Sequence, residues 1–383
     1  MDKSYYVFRS GFVLVTLMLL LITCDSSAEG NRTWETDETH EIVVSEIVTG
    51  LAHPWGMAFL PDGSVLITER PGGIALVQDG TKVEVTGAPE VAVAGQGGLL
   101  DVELHPNYGS PGNGWIYFTY SSAADGGYAT ALGRGRLDGT AITDWEELFV
   151  MSEPTGTTRH FGSRIVFGED GYLYMSIGDR GSRDRAQDTS DHAGSTLRLT
   201  DTGAPAPGNP FSDPALPELY SFGHRNAQGM AVNPVSGEVW QHEHGPQGGD
   251  EVNVIRPGEN YGWPIVTYGR EYSTGEPIGD PPEEHPEVIL PLVHWSPDSI
   301  APSGMTFYTG DRFPGWRGDL FLGALAGTHL RRLEIENGTV TEQELFLQER
   351  GWRIRDVAQG PEGYLWIITD ADSGGLYRIE PAR

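Results

Sequence analysis

Short apolar strands separated by polar turns recur along most of the chain. The segment "PWGMAFLPDGSVLITERPGGIALV" begins at Pro54 and contains apolar strands around a Pro-Asp-Gly turn, and turns of this composition join β-hairpins. Five more segments of this kind begin at Gly98, Gly162, Ala227, Pro302 and Ile354. A unit of strand, turn and strand that recurs every roughly fifty to seventy residues is typical of β-propeller blades. The pattern therefore predicts an all-β fold, a six-bladed β-propeller of four-stranded antiparallel blades.

The composition agrees with this fold. The 383 residues include 52 glycines and 26 prolines, which favour many tight turns over long helices. A β-sandwich with long loops is the alternative, but a sandwich does not require its strands to repeat.

The first residues have the organisation of an export signal. Lys3 and Arg9 precede the apolar run "GFVLVTLMLLLIT", which is short for a membrane span and typical of a signal-peptide core. The run ends at Cys24, the only cysteine, and "LITC" resembles the lipobox of bacterial lipoproteins. We predict a signal peptide over 1–23, a polar tether over 24–38 that is lipidated at Cys24 or cleaved after "SSA", and the propeller over 39–383. The alternative is that the apolar run remains as a membrane anchor.

Charge and export limit the partners of the propeller. The full chain has 54 acidic and 25 basic residues, a net charge of -29 at pH 7, which excludes nucleic acids as partners. We expect a monomer in the periplasm or at the cell surface, with membrane contact only through the N-terminal anchor.

Four stretches place unusual polar residues beside the first strand of a predicted blade. They are "GQGGLLDV", "RHFGSRIVF", "GHRNAQGM" and "GWRIRDVAQG". Their polar residues are Gln96, His160, Arg225, Asn226, Arg353 and Arg355. Because the loops at one end of a propeller channel converge, we expect these side chains to form one site. Grouped arginines in so acidic a chain indicate a bound anion, and planar guanidinium groups suit carboxylates.

A second candidate is the stretch "WQHEHGPQGGDEVNV", residues 240–254. Its pair His242 and His244 suggests a transition metal such as zinc. The acidic pair Asp250 and Glu251, which follows a glycine-rich turn, suggests calcium instead. The stretch alone leaves both metals open.

From about Glu41 to Arg378 the chain resembles the pyrroloquinoline quinone (PQQ)-dependent aldose sugar dehydrogenases, the glucose/sorbosone dehydrogenase family. The resemblance rests on nine motifs in order: "HPWGMAFLPDG", "GQGGLLDVELHP", "HFGSRIVF", "IGDRG", "GHRNAQGM", "HGPQGGDEVN", "NYGWP", "APSGM" and "RIRDV". It implies a six-bladed propeller that holds PQQ and calcium and oxidises aldose sugars at C1 to the lactone. In this reaction hydride passes to the quinone, and electrons then leave to an external acceptor, a quinone or a cytochrome.

The resemblance also implies roles for the polar residues. His160 would be the general base that takes the proton of the C1 hydroxyl, and Asp179 would orient its imidazole. Arg225 and Asn226 would contact the quinone, with Arg225 polarising an oxygen that gains negative charge. The other cofactor contacts would be Arg353 and Arg355, on the PQQ carboxylates, and Gln96, which would face both cofactor and sugar.

For the 240–254 stretch the resemblance favours calcium. The carbonyl oxygens of Gly245 and Pro246 would join PQQ oxygens around one ion, and such hard ligands select calcium over zinc. A second, structural calcium would use Glu251 and the backbone of Tyr261. The two histidines have no counterpart among family ligands and are interpreted as structural or channel-lining.

Three positions depart from the family pattern or are ambiguous. Ala326 lies where some members place a lysine against the cofactor, and its small side chain would weaken PQQ binding. Arg159 precedes the predicted base where the best-known glucose oxidisers have an acidic residue, which leaves the sugar preference open. Trp295 is a candidate for stacking on the sugar.

Two other functions compete with the dehydrogenase. A calcium-dependent lactonase or phosphotriesterase would need side-chain carboxylates and asparagines around its ion, and it has no need of several arginine clamps. A non-catalytic carbohydrate- or protein-binding propeller would not need His160, Arg225 and Arg355 together.

Overall fold

The computed structural model describes residues 34–37 and 42–382. The predicted signal peptide, Cys24 and most of the predicted tether lie outside the described residues. In the described part the chain forms six antiparallel sheets, so the predicted six-bladed propeller is confirmed. None of its helices is long and apolar enough to cross a membrane.

Each of the first five blades is a meander of four consecutive strands. Blade 1 contains β3 (Pro54–Phe59), β4 (Val65–Glu69), β5 (Gly73–Gln78) and β6 (Thr81–Val85). Blade 2 contains β7 (Leu99–Leu104), β8 (Trp115–Ala124), β9 (Gly127–Asp138) and β10 (Ala141–Val150). Blade 3 contains β11 (Ile165–Phe167), β12 (Leu173–Ile177), β13 (Ser195–Leu199) and β14 (Leu219–Phe222).

Blade 4 contains β15 (Ala227–Val232), β16 (Val239–Glu243), β17 (Asp250–Val254) and β18 (Val293–Trp295). Blade 5 contains β19 (Pro302–Phe307), β20 (Leu320–Ala324), β21 (His329–Glu336) and β22 (Thr339–Phe346). Short 3-10 helices occur at Arg183–Gln187, Pro282–Glu284, Pro314–Trp316 and Gln348–Arg350.

Blade 6 joins the two ends of the propeller. It contains β23 (Ile354–Gln359), β24 (Leu365–Thr369) and β25 (Gly374–Pro381), and its fourth strand is β2 (Ile42–Leu51) from the start of the described chain. Pairing of β2 with β25 closes the ring and removes a free blade edge. A further strand, β1 (Trp34–Asp37), pairs with β2 and lies within the segment that the sequence assigns to a tether.

The first strand of each blade lines the channel. Strands β3, β7, β11, β15, β19 and β23 contact one another in this order, and β23 contacts β3. These strands begin at or within a few residues of the six starts that the sequence pattern predicts. A buried ion pair fixes three of them, because Arg164 Nη1 lies 2.8 Å from Asp101 Oδ1 and 3.1 Å from Asp356 Oδ1.

The hydrophobic core lies between neighbouring blades. The second strands β4, β12, β16, β20 and β24 are buried along their whole length, as expected for strands covered on both faces. Phe321 and Leu330 of blade 5 pack with Ile354 and Ile367 of blade 6, for example. These contacts fix the blades, and the loops at the start of the inner strands carry the polar residues.

Candidate active site

His160 is the central side chain of the candidate site. It precedes β11, and its backbone φ of 56° lies in the left-handed region. Its ring Nδ1 lies 2.6 Å from Asp179 Oδ1, and its backbone N–H donates to Gln96 Oε1 at 2.7 Å. Since a carboxylate only accepts, Nδ1 carries the hydrogen and Nε2 keeps a free lone pair. Within the described chain no residue forms a hydrogen bond with Nε2.

Asp179, which follows β12, is fixed on both of its oxygens. The backbone N–H of Gly181 donates to Oδ1 at 2.6 Å, and the indole N–H of Trp263 donates to Oδ2 at 2.8 Å. Burial raises the pKa of Asp179, but the hydrogen bonds from His160 and Gly181 outweigh this and lower the pKa overall. The carboxylate is therefore charged at neutral pH and holds the imidazole in one orientation. Trp263 belongs to the quoted motif "NYGWP", but sequence reasoning assigned it no role.

The pKa of His160 suits a base. Burial lowers it, the bond to Asp179 raises it, and the positive charges of Arg225 and Arg159 lower it further, so the net shift is downward. At neutral pH the imidazole is uncharged, with Nε2 ready to accept a proton.

Arg225 and Asn226 lie next to this pair. Arg225 Nη1 donates to the carbonyl oxygens of His244 at 2.9 Å and Gly245 at 2.7 Å, and its backbone oxygen accepts from Asp179 N–H. Asn226 Oδ1 accepts from the backbone N–H of Gly162 at 3.2 Å. Both side chains are buried, so the loops of blades 3 and 4 are tied together at the site.

The two arginines of "RIRDV" reach one anion, which in the described chain is the side chain of Asp370. Arg355 Nη2 lies 3.3 Å and Arg353 Nη2 lies 3.2 Å from Asp370 Oδ2. Arg355 is 8% exposed, and its Nη1 donates to Gln228 Oε1 and Ser303 Oγ.

Arg353 and Arg355 form an arginine clamp whose positive charge is incompletely compensated. Burial lowers the pKa of Arg355 to about 10, so the guanidinium stays charged at neutral pH. Its Nε is buried and has no hydrogen-bond partner among the described residues. One carboxylate thus faces two guanidinium groups, and a buried donor is open to a further anion.

A cavity of about 340 Å³ lies beside these groups and is lined by Asn226, Arg353 and Arg355 among others. Its volume is within the size range of small-molecule sites. The residues that line it include Trp55, Arg70, Gln96, Phe161, Asn226, Gln228, His244, Leu325, Arg353, Arg355 and Asp370. His160 does not line the cavity, but the adjacent Phe161 and Gly162 do, as does Gln96, which accepts the backbone N–H of His160. Sequence reasoning missed Trp55, Gln228 and Asp370, although the first two lie inside quoted motifs.

The Gly245-Pro246 turn lies beside Arg225. Asp250 Oδ1 accepts from the Gly245 N–H at 2.9 Å, while its Oδ2 accepts from Ser299 and the backbone of residues 300–301. Asp250 therefore fixes the turn and is fully used within the protein. The Pro246 carbonyl accepts from the Tyr272 hydroxyl at 2.9 Å. Each turn carbonyl thus has one protein donor and keeps a second lone pair.

Glu251 and Tyr261 lie near the same turn. With Arg225, Glu243 and Gly245 they surround a cavity of about 10 Å³, about the volume that one water or small ion needs. Burial and the charge of Glu243 raise the pKa of Glu251 well above its usual value, and a bound cation would reverse this. The described residues contain no cluster of three or more His, Cys, Asp or Glu side chains suited to a metal. A calcium ion here would depend on main-chain oxygens.

Trp295 does not belong to the site. It is 9% exposed and packs in the core with Val252 and Leu320, and its indole N–H donates to Gln343 at 3.0 Å. Its ring is not open to a sugar, so the stacking hypothesis is wrong. Its strand, β18, is too short for the sequence alternation to indicate its buried face.

The other ambiguous residues have clear positions. His242 is fully buried, and its ring lies against Gly229, where an added Cβ would be 2.0 Å from Nε2. His244 lines the cavity and its Nε2 bonds the Pro302 carbonyl at 2.6 Å. Ala326 is exposed beside the cavity residue Leu325.

A six-bladed propeller with a buried His-Asp pair beside an arginine-lined cavity is an arrangement suited to acid-base chemistry on a ligand next to a bound anion. A model of the glucose/sorbosone dehydrogenase family matches residues 51–378. Aldose sugar dehydrogenase YliI of Escherichia coli (strain K12) is 42% identical over 385 aligned positions, which cover 97% of this chain and 99% of that protein. The chain therefore belongs to the glucose/sorbosone dehydrogenase family, as the sequence predicts, and is an oxidoreductase of the sugar dehydrogenase class.

Solved structures agree with this assignment. A crystal structure of a glucose dehydrogenase is 43% identical and superposes with a TM-score of 0.84, covering 88% of this chain and 98% of its own. The PQQ-bound form of aldose sugar dehydrogenase from Streptomyces coelicolor is 28% identical, with a TM-score of 0.73 and coverage of 92% and 100%.

Proposed function

We propose that the protein is a PQQ- and calcium-dependent dehydrogenase that oxidises aldose sugars at C1 to the lactone. The observation that carries this proposal is the His160-Asp179 pair directly beside Phe161 and Gly162, which line the same cavity as Arg353 and Arg355. The base and the anion-binding groups are thus close enough to act on two ligands that contact each other.

The cavity suits a tricarboxylate quinone such as PQQ. Its wall combines the unpartnered, buried Arg355 Nε with Arg353 and the indole of Trp55, which provide charge for carboxylates and a flat surface for a ring. Arg353 and Arg355 would hold carboxylates, and Arg225, Asn226 and Gln96 would contact the rest of the cofactor. When bound, PQQ would supply a two-electron acceptor for the hydride from C1.

The protein supplies the proton acceptor. His160 Nε2 would take the proton of the C1 hydroxyl, since its Nδ1 is already bound to Asp179. Asp179 would stabilise the imidazolium that results, as a carboxylate partner does in other acid-base sites. Arg225 would stabilise negative charge on the ligand oxygen nearest to it.

Calcium would be held by oxygen atoms of the turn. Gly245 and Pro246 would offer their carbonyls to an ion beside the cofactor, and Glu251 with the Tyr261 backbone would offer oxygens to a second, structural ion. The small cavity between Gly245, Glu251 and Tyr261 supports the second position.

We also propose that the protein acts outside the cytoplasm, in the periplasm or at the cell surface, after removal of the 1–23 signal peptide. It would be a monomer, attached to a membrane only where Cys24 is lipidated. Electrons would pass to a separate acceptor, a quinone or a cytochrome.

The function is tested by adding PQQ and calcium to purified protein and following dye reduction with a panel of aldoses. We expect no sugar-dependent reduction without PQQ, reduction with it, and lactone as the product. Hydrolysis of a lactone by the calcium-loaded protein without PQQ, and no dye reduction with it, would instead favour the hydrolase. Binding of sugar with neither activity would favour the non-catalytic propeller.

The rate should depend on pH through His160. Because the pKa of this imidazole is lowered, the reactive neutral form predominates at pH 7 and is lost as the pH falls through that lowered pKa. We expect kcat/KM of the PQQ-loaded protein to be level near neutrality and to fall tenfold per pH unit in the acid range. A profile that rises towards acid pH would show that the essential group must be protonated.

A further inference from the structure

Two guanidinium groups next to the catalytic imidazole have no carboxylate partner. Arg225 donates to main-chain carbonyls, and the side chain of Arg159, directly before His160, forms no hydrogen bond or ion pair with any described residue. The nearby carboxylate of Asp179 is already occupied by His160, Gly181 and Trp263. A positive charge is therefore left beside the base of a protein whose net charge is -29.

The backbone of Arg159 is fixed by a hydrogen bond, while its side chain is exposed. Its carbonyl oxygen accepts from Arg180 Nη1, and Arg180 is fully buried, 3.6 Å from the ring of Phe161. Its own guanidinium lies on Gly181, where an added Cβ would be 2.5 Å from Arg159 Nε. The guanidinium thus lies along the loop that positions Asp179 and His160.

The charge of Arg159 reaches the catalytic imidazole. After burial and the effect of Arg225, it is a further cause that lowers the pKa of His160. The C1 hydroxyl must approach His160 Nε2, so a bound sugar lies within the reach of this charge.

The other arginines around the cavity have assigned contacts. Arg353 and Arg355 share Asp370 on the cofactor side, and Arg70 Nη1 donates to the Gly95 carbonyl at 2.7 Å. Arg159, next to His160, has no such side-chain contact with a described residue.

We propose that Arg159 binds an anionic group of the sugar, so that the enzyme prefers aldoses that carry a carboxylate or a phosphate. This inference rests on the proposed function and leaves the reaction at C1 unchanged. It adds one charge-assisted contact to substrate binding.

The test compares glucose, glucuronate and glucose 6-phosphate as substrates of the PQQ-loaded wild type and of Arg159→Gln. We expect the wild type to favour at least one anionic sugar, and the substitution to lower the ratio of kcat/KM for that sugar to kcat/KM for glucose by about 3- to 30-fold, mainly through KM. If Arg159→Gln lowers this ratio more for glucuronate than for glucose 6-phosphate, Arg159 prefers a carboxylate. The reverse order indicates a phosphate preference. Added salt should reduce the wild-type preference, because the contact is exposed to solvent.

The matched control is Arg317→Gln, which removes the same charge. Arg317 is 64% exposed and pairs with Asp311. It lies beyond the end of β19 that is remote from the site. The ratio of kcat/KM for the anionic sugar to kcat/KM for glucose should therefore be that of the wild type. A second readout is the pH profile, whose acid limb should move to higher pH in Arg159→Gln because a cation near His160 is removed.

Equal ratios of kcat/KM for the anionic sugar to kcat/KM for glucose in the wild type and Arg159→Gln would overturn the proposal. If the variant also needed more PQQ while this ratio stayed unchanged, Arg159 would be a cofactor contact instead. Failure of the wild type to oxidise any sugar would instead contradict the proposed function. In that case calorimetric titration with glucuronate decides on Arg159 alone: binding weakened by Arg159→Gln supports its role, and equal binding overturns it.

Discussion

His160→Ala should lower the turnover of the PQQ-loaded protein by about 10²–10⁴-fold, the usual contribution of a general base. The variant loses the His160 imidazole. In the described site this is the only ring with a free Nε2 lone pair whose orientation is fixed, through Nδ1, by the buried carboxylate of Asp179. The PQQ concentration for half-maximal activity should change little, since Arg353 and Arg355 line the cavity, whereas His160 does not. The measurement is kcat at saturating sugar over a range of PQQ concentrations.

A matched control is His105→Ala. This histidine follows β7 at the end opposite to Gln96 and bonds Asn113, so its removal should leave kcat near the wild-type value. If His160→Ala instead lost PQQ and kept normal turnover per bound cofactor, His160 would be a cofactor-binding residue and not the base.

Arg355→Ala should raise the PQQ concentration for half-maximal activity by about 30- to 700-fold. The guanidinium is buried, and loss of a buried charge-assisted contact costs about 2–4 kcal/mol when its partner is left unpaired, with about 1.4 kcal/mol per tenfold in affinity. Saturating PQQ should recover much of kcat, because His160 is untouched. PQQ titrations of the wild type and the variant measure this directly.

Two further variants and a stability measurement separate binding from folding. Arg353→Ala should have a smaller effect, about tenfold or less, because its side chain is 48% exposed. Arg355→Lys should recover only part of the affinity, since an ammonium keeps the charge without the planar fork. Thermal unfolding of each variant without PQQ checks that the fold is intact. Superimposable PQQ titrations for the wild type and Arg355→Ala would mean that Arg355 only pairs with Asp370.

The fold was predictable because its signal is local and repeated. Each hairpin carries its own turn, as between β3 and β4, and the six starts then locate the inner strands. The site was predictable to the extent that equivalent positions of different blades meet at one end of the channel, as the contact between Gln96 and His160 illustrates.

What the sequence did not indicate depends on long-range packing. Asp370 is separated from Arg355 by the whole of strand β24, yet its carboxylate contacts both Arg353 and Arg355. Trp263 comes from a loop of blade 4 and fixes Asp179 of blade 3. The error on Trp295 has the same origin, because only the packing of blade 4 on blade 5 shows that its ring is buried.

We infer that His160 and the arginine-lined cavity act on a sugar and a quinone together. This is tested most directly by mixing PQQ-loaded, calcium-saturated protein with excess glucose, without air or dye, while recording the quinone absorbance and the lactone formed. We expect loss of the oxidised-quinone spectrum with one lactone per PQQ, and a much slower change in His160→Ala. An oxidised spectrum that persists in the wild type, with no lactone formed, would contradict it.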